Sequence, residues 1–391
     1  MTPQARAQAA IEILDAVIAA ARSRGAPADR LFTDWFRTRR FAGSSDRRAV
    51  RELVYAAIRT CGEVPATGRA ALLALAGEDP ALAALFDGSR HAPAAIAPGE
   101  PVAVRAVAPA WLVEALTASG LGAAEQLALL GRAPLDIRLN PLKAALADLP
   151  EPGAPTVAPL GRRFPPGTPV EQWEAYRAGA IEVQDAGSQL VCTAVAAQPG
   201  ERVVDLCAGA GGKTLALAAA MDNRGSLLAC DADRARLSRL PPRAERAGVT
   251  IAETRLLDGG REAAALTDWQ DRADAVLVDA PCSGTGTWRR NPEARWRLDP
   301  RELERLTALQ ARLLDVAAAL VRPGGRLVHV VCSLLDAEGA DQAERFLARH
   351  PDWRAVPLTL GAGRARGAGV RLTPGHDGTD GFFVARLERL C

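Results

Sequence analysis

Lysine is nearly missing from this chain: of 48 basic residues only Lys143 and Lys213 are lysine, so almost all positive charge is guanidinium. No apolar run approaches the roughly 20 residues that a membrane-spanning helix needs, which excludes a transmembrane helix. The opening Met1-Thr-Pro-Gln-Ala-Arg6 has no apolar core followed by a cleavage site, and an acid follows at Glu12, so no signal peptide is expected. There is no CxxC pair and the four histidines are scattered, so no metal site is expected. Seven cysteines, an odd number in a long chain without a secretion signal, argue against a disulfide framework and for reduced thiols in a cytoplasm. Disorder is excluded too: 48% hydrophobic and 24% charged residues over 391 positions are the balance of a globular protein of two or three domains.

Charge is uneven along the chain. Residues 1–60 hold eleven arginines against six acids, whereas residues 61–130 hold three against seven. The basic segment fits either a phosphate-rich partner or a solvated helical surface. Ile11, Leu14, Ile18 and Ala21 recur at helical spacing, and a second helix is expected from about Ser45 with Val50, Leu53, Val54, Ala57 and Ile58 inward. Arg47, Arg48 and Arg51 then fall mostly outside that stripe. Short helices and loops are expected over 62–110, and a further helical pair from Trp111 to Leu130. Over 134–180 short apolar pieces alternate with Pro and Gly, suggesting a small β-containing link.

From about residue 181 the pattern becomes that of an α/β sheet. Strands are expected at Arg202–Leu206, Ser226–Cys230, Thr250–Leu256, Ala273–Asp279 and Arg326–Val331, with helices between them. Such sheets take ligands at the carboxyl ends of their strands. The first strand runs into Asp205-Leu-Cys-Ala-Gly-Ala-Gly-Gly-Lys-Thr214, whose glycines let backbone amides approach a ligand at a helix start. The spacing is neither that of a dinucleotide fold nor that of a P-loop. Asp231, at the end of the second strand, stands where an acid would hydrogen-bond a ribose, or where a plain turn former would sit. A nucleoside cofactor without a pyrophosphate fits, and S-adenosyl-L-methionine is the candidate. Cofactor contacts are expected from Cys207, Ala208, Gly209, Ala210, Gly211, Gly212, Lys213, Asp231, Asp279 and, in Leu257-Asp-Gly259, Asp258, itself open to the turn-former reading.

The fourth strand leads directly into Asp279-Ala-Pro-Cys-Ser-Gly-Thr-Gly286, and the fifth ends in Val330-Val-Cys-Ser333. Adjacent strand ends are close in space, so Cys282 and Cys332 could face one pocket. Together with Gln184-Asp-Ala-Gly-Ser188, Arg289-Arg-Asn-Pro292 and Thr379-Asp-Gly-Phe-Phe383, these segments resemble the RNA cytosine-5 methyltransferases of the Nop/Sun (RsmB-type) family. The resemblance covers most of residues 181–391, in the family's order.

That resemblance implies a Rossmann-like class I methyltransferase domain, mostly parallel with one antiparallel strand, over 181–391. It implies a small linking α+β segment over 131–180 and an abbreviated, NusB-like helical RNA-binding domain over 1–130. It implies Cys332 as the nucleophile, Cys282 as the thiol assisting release, and Asp279 at the base edge. The expected substrate is 16S rRNA, with a tRNA, another RNA, or service as a weakly active RNA-binding assembly factor as alternatives. RNA contacts are expected from Arg47, Arg48, Arg51, Arg289 and Arg290, the last two opening a stretch to Arg312 that could equally be a solvated helix face. A cytoplasmic monomer is expected. Three departures stand out: His329-Val-Val-Cys-Ser333 where the family has Tyr-x-Thr-Cys-Ser, Ala210 where it commonly has Pro, and Pro241-Pro242 in an expected helix. None removes a reacting group.

Overall fold

The computed structural model describes residues 1–391 except Ala147 and the side chain of Leu146. The chain divides into two compact units, Met1–Gly131 with Thr287–Asp299, and Arg132–Gly286 with Pro300–Cys391.

The first unit is built on the helices Pro3–Arg22, Ala28–Arg37, Ser44–Thr60 and Gly68–Ala76. The Thr2 hydroxyl accepts the Ala5 N–H at 3.1 Å, and Pro3 suits a first turn because its missing donor is not needed there. The predicted stripe of Ile11, Leu14 and Ile18 is buried, with Val17, against Phe32, Phe36, Val54 and Ile58. The helix expected from Ser45 starts at Ser44, and its cap is the Asp46 carboxylate, which accepts the Gly43 N–H at 3.2 Å. The distant segment Thr287–Asp299 completes this unit. Arg295, fully buried, donates to the carbonyls of Ile58 (2.6 Å) and Cys61 (2.9 Å), satisfying acceptors that the end of helix Ser44–Thr60 leaves open. Trp296 donates to Cys61 O at 3.1 Å and joins the helical core.

In the second unit, β1 (Leu135–Leu139), β2 (Ala154–Pro155), β3 (Gly161–Phe164) and β4 (Ile181–Val183) form an antiparallel sheet in the order β2-β3-β1-β4. Asp136 of β1 accepts Arg163 at 2.7 and 2.8 Å and the Ala186 N–H at 3.1 Å. The large sheet contains β5 (Arg202–Asp205), β6 (Ser226–Asp231), β7 (Ala252–Leu256), β8 (Ala273–Asp279), β9 (Val321–Val331), β10 (Trp353–Val356), β11 (Arg364–Arg366), β12 (Gly369–Leu372) and β13 (Phe382–Arg389). Its order is β11-β12-β13-β9-β8-β5-β6-β7, with β10 also paired to β13. β5 to β9 run parallel, and β13 joins β9 antiparallel, which is the Rossmann-like methyltransferase arrangement. Beyond that strand, β10 and β12 add further antiparallel pairs on β13.

The apolar runs of the central strands are buried on both faces. One layer packs Leu190 and Leu215 against Val203 and Leu277, the other packs Leu313 and Phe346 against Val204 and Val276. Pro241 and Pro242 fall in the first turn of helix Leu240–Ala247, where proline is tolerated, after a short separate turn at Arg234–Leu237.

Candidate active site

The loop Asp205–Thr214 leaves the carboxyl end of β5 and enters helix Gly212–Ala220. Gly209 (φ +55°) and Gly211 (φ +86°) are left-handed, a conformation glycine alone adopts without steric penalty. A Cβ on Gly209 would also lie 2.5 Å from the Arg236 guanidinium. Asp231 fixes this loop: one carboxylate oxygen accepts the Gly209 N–H at 2.7 Å and the other the Asp233 N–H at 2.7 Å. The Thr214 hydroxyl donates to Asp205 Oδ2 at 2.7 Å, leaving Asp205 Oδ1 buried without a partner among the described residues. Burial raises the Asp205 pKa to about 7.

A cleft of about 590 Å³ opens at these strand ends, lined by Cys207, Asp231, Asp279, Cys282 and Cys332 among others. That volume suits a small-molecule ligand. Lys213 Nζ lies 2.6 Å from Asp279 Oδ2. Burial works against the ammonium, but Asp279 and the nearby thiols hold its pKa above the usual lysine value. Among the described residues no hydrogen bond reaches Asp279 Oδ1.

Cys282 and Cys332 are free thiols with their sulfurs 3.4 Å apart. The hydrogen bond with Cys332, then burial, push the Cys282 thiol well above the usual range. Behind the pair, the two loops are tied together by Ser283, Thr285, Ser333 and Glu338. Ser333 Oγ lies 3.1 Å from both the Ser283 and the Thr285 hydroxyls. The fully buried Glu338 accepts the Ser283 N–H at 2.8 Å, the Ser283 hydroxyl, and Gln310 Nε2 at 3.0 Å. Gly286 donates to Cys332 O at 3.0 Å and accepts from Gly381 at 2.8 Å; a Cβ there would meet Gly381 O at 2.1 Å. Thr379-Asp-Gly-Phe-Phe383 is thus packed directly on the Cys282 loop.

Of the expected cofactor positions, Cys207, Asp231 and Asp279 line the cleft, whereas Ala208 to Lys213 form the loop and helix start beside it without lining it. Ala208 donates to Cys230 O, Ala210 O accepts from Arg243, and Gly212 opens the helix. Asp258 does not line the cleft; it is exposed, and its neighbours Leu257 and Gly259 line it instead. Arg289, expected to meet RNA, is 7% exposed, and the nearby Arg297 donates to the Gly25 and Ala26 carbonyls of the link between the first two helices, because a guanidinium fork suits adjacent carbonyl acceptors. Arg290 is half-buried, whereas Arg47, Arg48 and Arg51 are exposed on helix Ser44–Thr60. Burial raises Cys61 and Cys192 to about 11 and Cys230 to about 12, as expected of inert core thiols. Val331 and His329 are buried and do not line the cleft. Sequence reasoning missed Glu338 and Gln310, which carry no motif, and Arg236, which lines the cleft from outside the glycine loop.

The profile of the 16S rRNA methyltransferase RsmB/F family matches residues 192–388. A probable ribosomal RNA small subunit methyltransferase B of Synechocystis is 36% identical over 65% of this chain and 60% of its own length. The ribosomal RNA small subunit methyltransferase B of Xanthomonas campestris is 39% identical over 58% of this chain and 51% of its own. This chain therefore spans little more than half the length of these curated relatives. Among solved structures, that of PH0851 is 25% identical with a TM-score of 0.77, covering 98% of this chain and 99% of that one. The cleft, its paired thiols and these similarities agree: the chain belongs to the RsmB/F family of 16S rRNA methyltransferases, whose cofactor is S-adenosyl-L-methionine.

Proposed function

We propose that this protein methylates carbon 5 of a cytosine in RNA, with small-subunit rRNA as substrate, through a covalent bond between Cys332 and the base. The observation that carries the reading is the pair of free thiols, 3.4 Å apart beside Asp279 at the ends of adjacent parallel strands. The residues present fit the cofactor: Cys207, Asp231 and Asp279 line the cleft, and the left-handed Gly209 and Gly211 turn the adjoining loop. S-adenosyl-L-methionine, held there, supplies an electrophilic methyl group.

Carbon 5 of cytosine is a weak nucleophile. Addition of the Cys332 thiolate to carbon 6 forms an S–C bond and makes carbon 5 electron-rich enough to take a methyl group. Asp279, held by Lys213 through one oxygen, has the other free to hydrogen-bond the base edge. The carbon 5 proton must then leave, and its electron pair expels Cys332 and restores the ring double bond. Cys282 is suited to receive that proton. Its pKa is raised first by the hydrogen bond with Cys332, and once Cys332 is a thioether, a weaker acceptor, that contribution shrinks and Cys282 ionises more readily. The base reaches the thiol only if unstacked, as in a loop or single strand.

Residues 1–130 fit the role of an abbreviated NusB-like RNA-binding domain ahead of a link over 131–180 and a catalytic domain over 181–391, with Arg47, Arg48, Arg51 and Arg290 as phosphate contacts. Incubation with radiolabelled S-adenosyl-L-methionine and a 16S rRNA transcript, followed by bisulfite sequencing, tests the activity. Label at one cytosine is expected. Label on another base, or none from a folded protein that binds the cofactor, overturns it.

A further inference from the structure

On the first unit, considered alone, a groove of about 390 Å³ runs between helix Pro3–Arg22 and the turn after helix Ala28–Arg37. Its apolar surface comes from Ala5, Ala9, Trp35 and Phe41. Phe41 is 74% exposed, the most exposed of the large hydrophobic side chains on the described surface. An aromatic ring left in water at a groove mouth is a surface in want of a flat partner.

The charge around it names the partner's sign. The Arg39 guanidinium lies 3.9 Å over the Trp35 ring, and Arg90 reaches the same groove. Arg40, next to Phe41 in sequence, is exposed and has no acid partner among the described residues. Among the described residues the single acid lining the groove, Glu12, already accepts Trp35 Nε1 at 3.2 Å and Arg39 Nη2 at 3.3 Å. Aromatic faces for bases, beside arginines for phosphates, are the recognition chemistry of single-stranded nucleic acid.

We propose that this groove is a second RNA contact, in which an unstacked base lies on Phe41 beside the Trp35–Arg39 pair while flanking phosphates meet Arg40 and Arg90. The inference deepens the RNA reading above and rests on it. It is distinct from the expected arginines on helix Ser44–Thr60, because it predicts a stacking contribution that salt does not screen.

The test uses the full chain and a fluorescein-labelled single-stranded RNA of mixed sequence. Phe41→Ala should weaken binding about five- to 50-fold, as expected for loss of one stacked base, and Phe41→Tyr should restore it. Arg90→Ala should lower the slope of log affinity against log salt by about one. In methylation assays Phe41→Ala should raise KM with kcat unchanged. Unchanged RNA affinity in Phe41→Ala overturns the proposal, and if that variant instead turns a dimer into a monomer, the groove belongs to a second copy of the chain. A wild-type protein that binds RNA through Phe41 but transfers no methyl group overturns the enzymatic reading and leaves this one standing. A wild type that binds no RNA overturns both.

Discussion

Replacing Glu338 by alanine removes one buried carboxylate and leaves three donors, the Ser283 N–H, the Ser283 hydroxyl and Gln310 Nε2, without an acceptor in a fully buried place. A hydrogen bond to a charged group contributes about 1.5–3 kcal/mol, so three sum to roughly 5–9 kcal/mol. Water entering the vacated space and rotation of the hydroxyl recover part of this, and the expected loss is about 3–5 kcal/mol. At about 2–4 °C per kcal/mol for a unit of this size, its melting transition should fall by roughly 6–20 °C. The functional effect follows from the same bonds. Ser283 is adjacent to Cys282, so a loosened loop no longer holds the two sulfurs at 3.4 Å, and release of the methylated base slows. Scanning calorimetry of the full chain and a denaturing gel for RNA-bound protein measure the two effects. Glu338→Gln keeps an oxygen for the two N–H donors and should lose less than half as much. A fall below about 2 °C for Glu338→Ala, with both variants alike, would refute the claim that this carboxylate clamps the loops.

Other perturbations follow from the same geometry. Asp205 titrates near 7 in the fold against about 3.9 in an unfolded chain, so the folded state holds the extra proton. Its stabilisation is full below pH ~4 and is lost as pH rises toward 7, and Asp205→Asn should remove that slope in urea titrations. His329 works in the opposite sense: burial lowers it to about 4, so its stabilisation is full above pH ~6.5 and fades as pH falls, a loss that His329→Gln should abolish in the same titrations. Lys213→Met leaves Asp279 without its 2.6 Å partner and should reduce the single-turnover methylation rate about 10- to 100-fold with the fold intact by circular dichroism. Arg295→Met strands the Ile58 carbonyl and leaves Cys61 O to Trp296 alone, and should destabilise the first unit by about 1–3 kcal/mol, whereas Arg297→Ala, closer to solvent, should change its urea midpoint little.

The central parallel strands were legible because both faces are buried, so Val203-Val204 and Ala275–Val278 read as continuous apolar runs. The juxtaposition of Cys282 and Cys332 was legible from strand order, since β8 and β9 are neighbours and each thiol follows its strand's end. The antiparallel strands β10 to β12 were not. They are three or four residues long, rich in arginine, and take their structure from pairing, β10 and β12 with β13 and β11 with β12, rather than from a pattern of their own. Local charge could not place Arg289, Arg295 and Arg297, because a basic stretch looks the same whether its guanidiniums face solvent or, as at Arg295, close a helix end. Glu338 was invisible for the converse reason: a lone acid has no spacing to betray that its partners are a serine 55 positions away and a glutamine 28 positions away.

The central claim is that Cys332 forms the bond to the base and Cys282 is needed to break it. Incubating Cys282→Ala with RNA and S-adenosyl-L-methionine, then separating the products on a denaturing gel, addresses both halves at once. A retarded protein–RNA band that disappears in the Cys282→Ala/Cys332→Ala double variant, together with no methylation by Cys332→Ala alone, is the expected result. A band that persists in the double variant, or methylation by Cys332→Ala at the wild-type rate, would contradict the account.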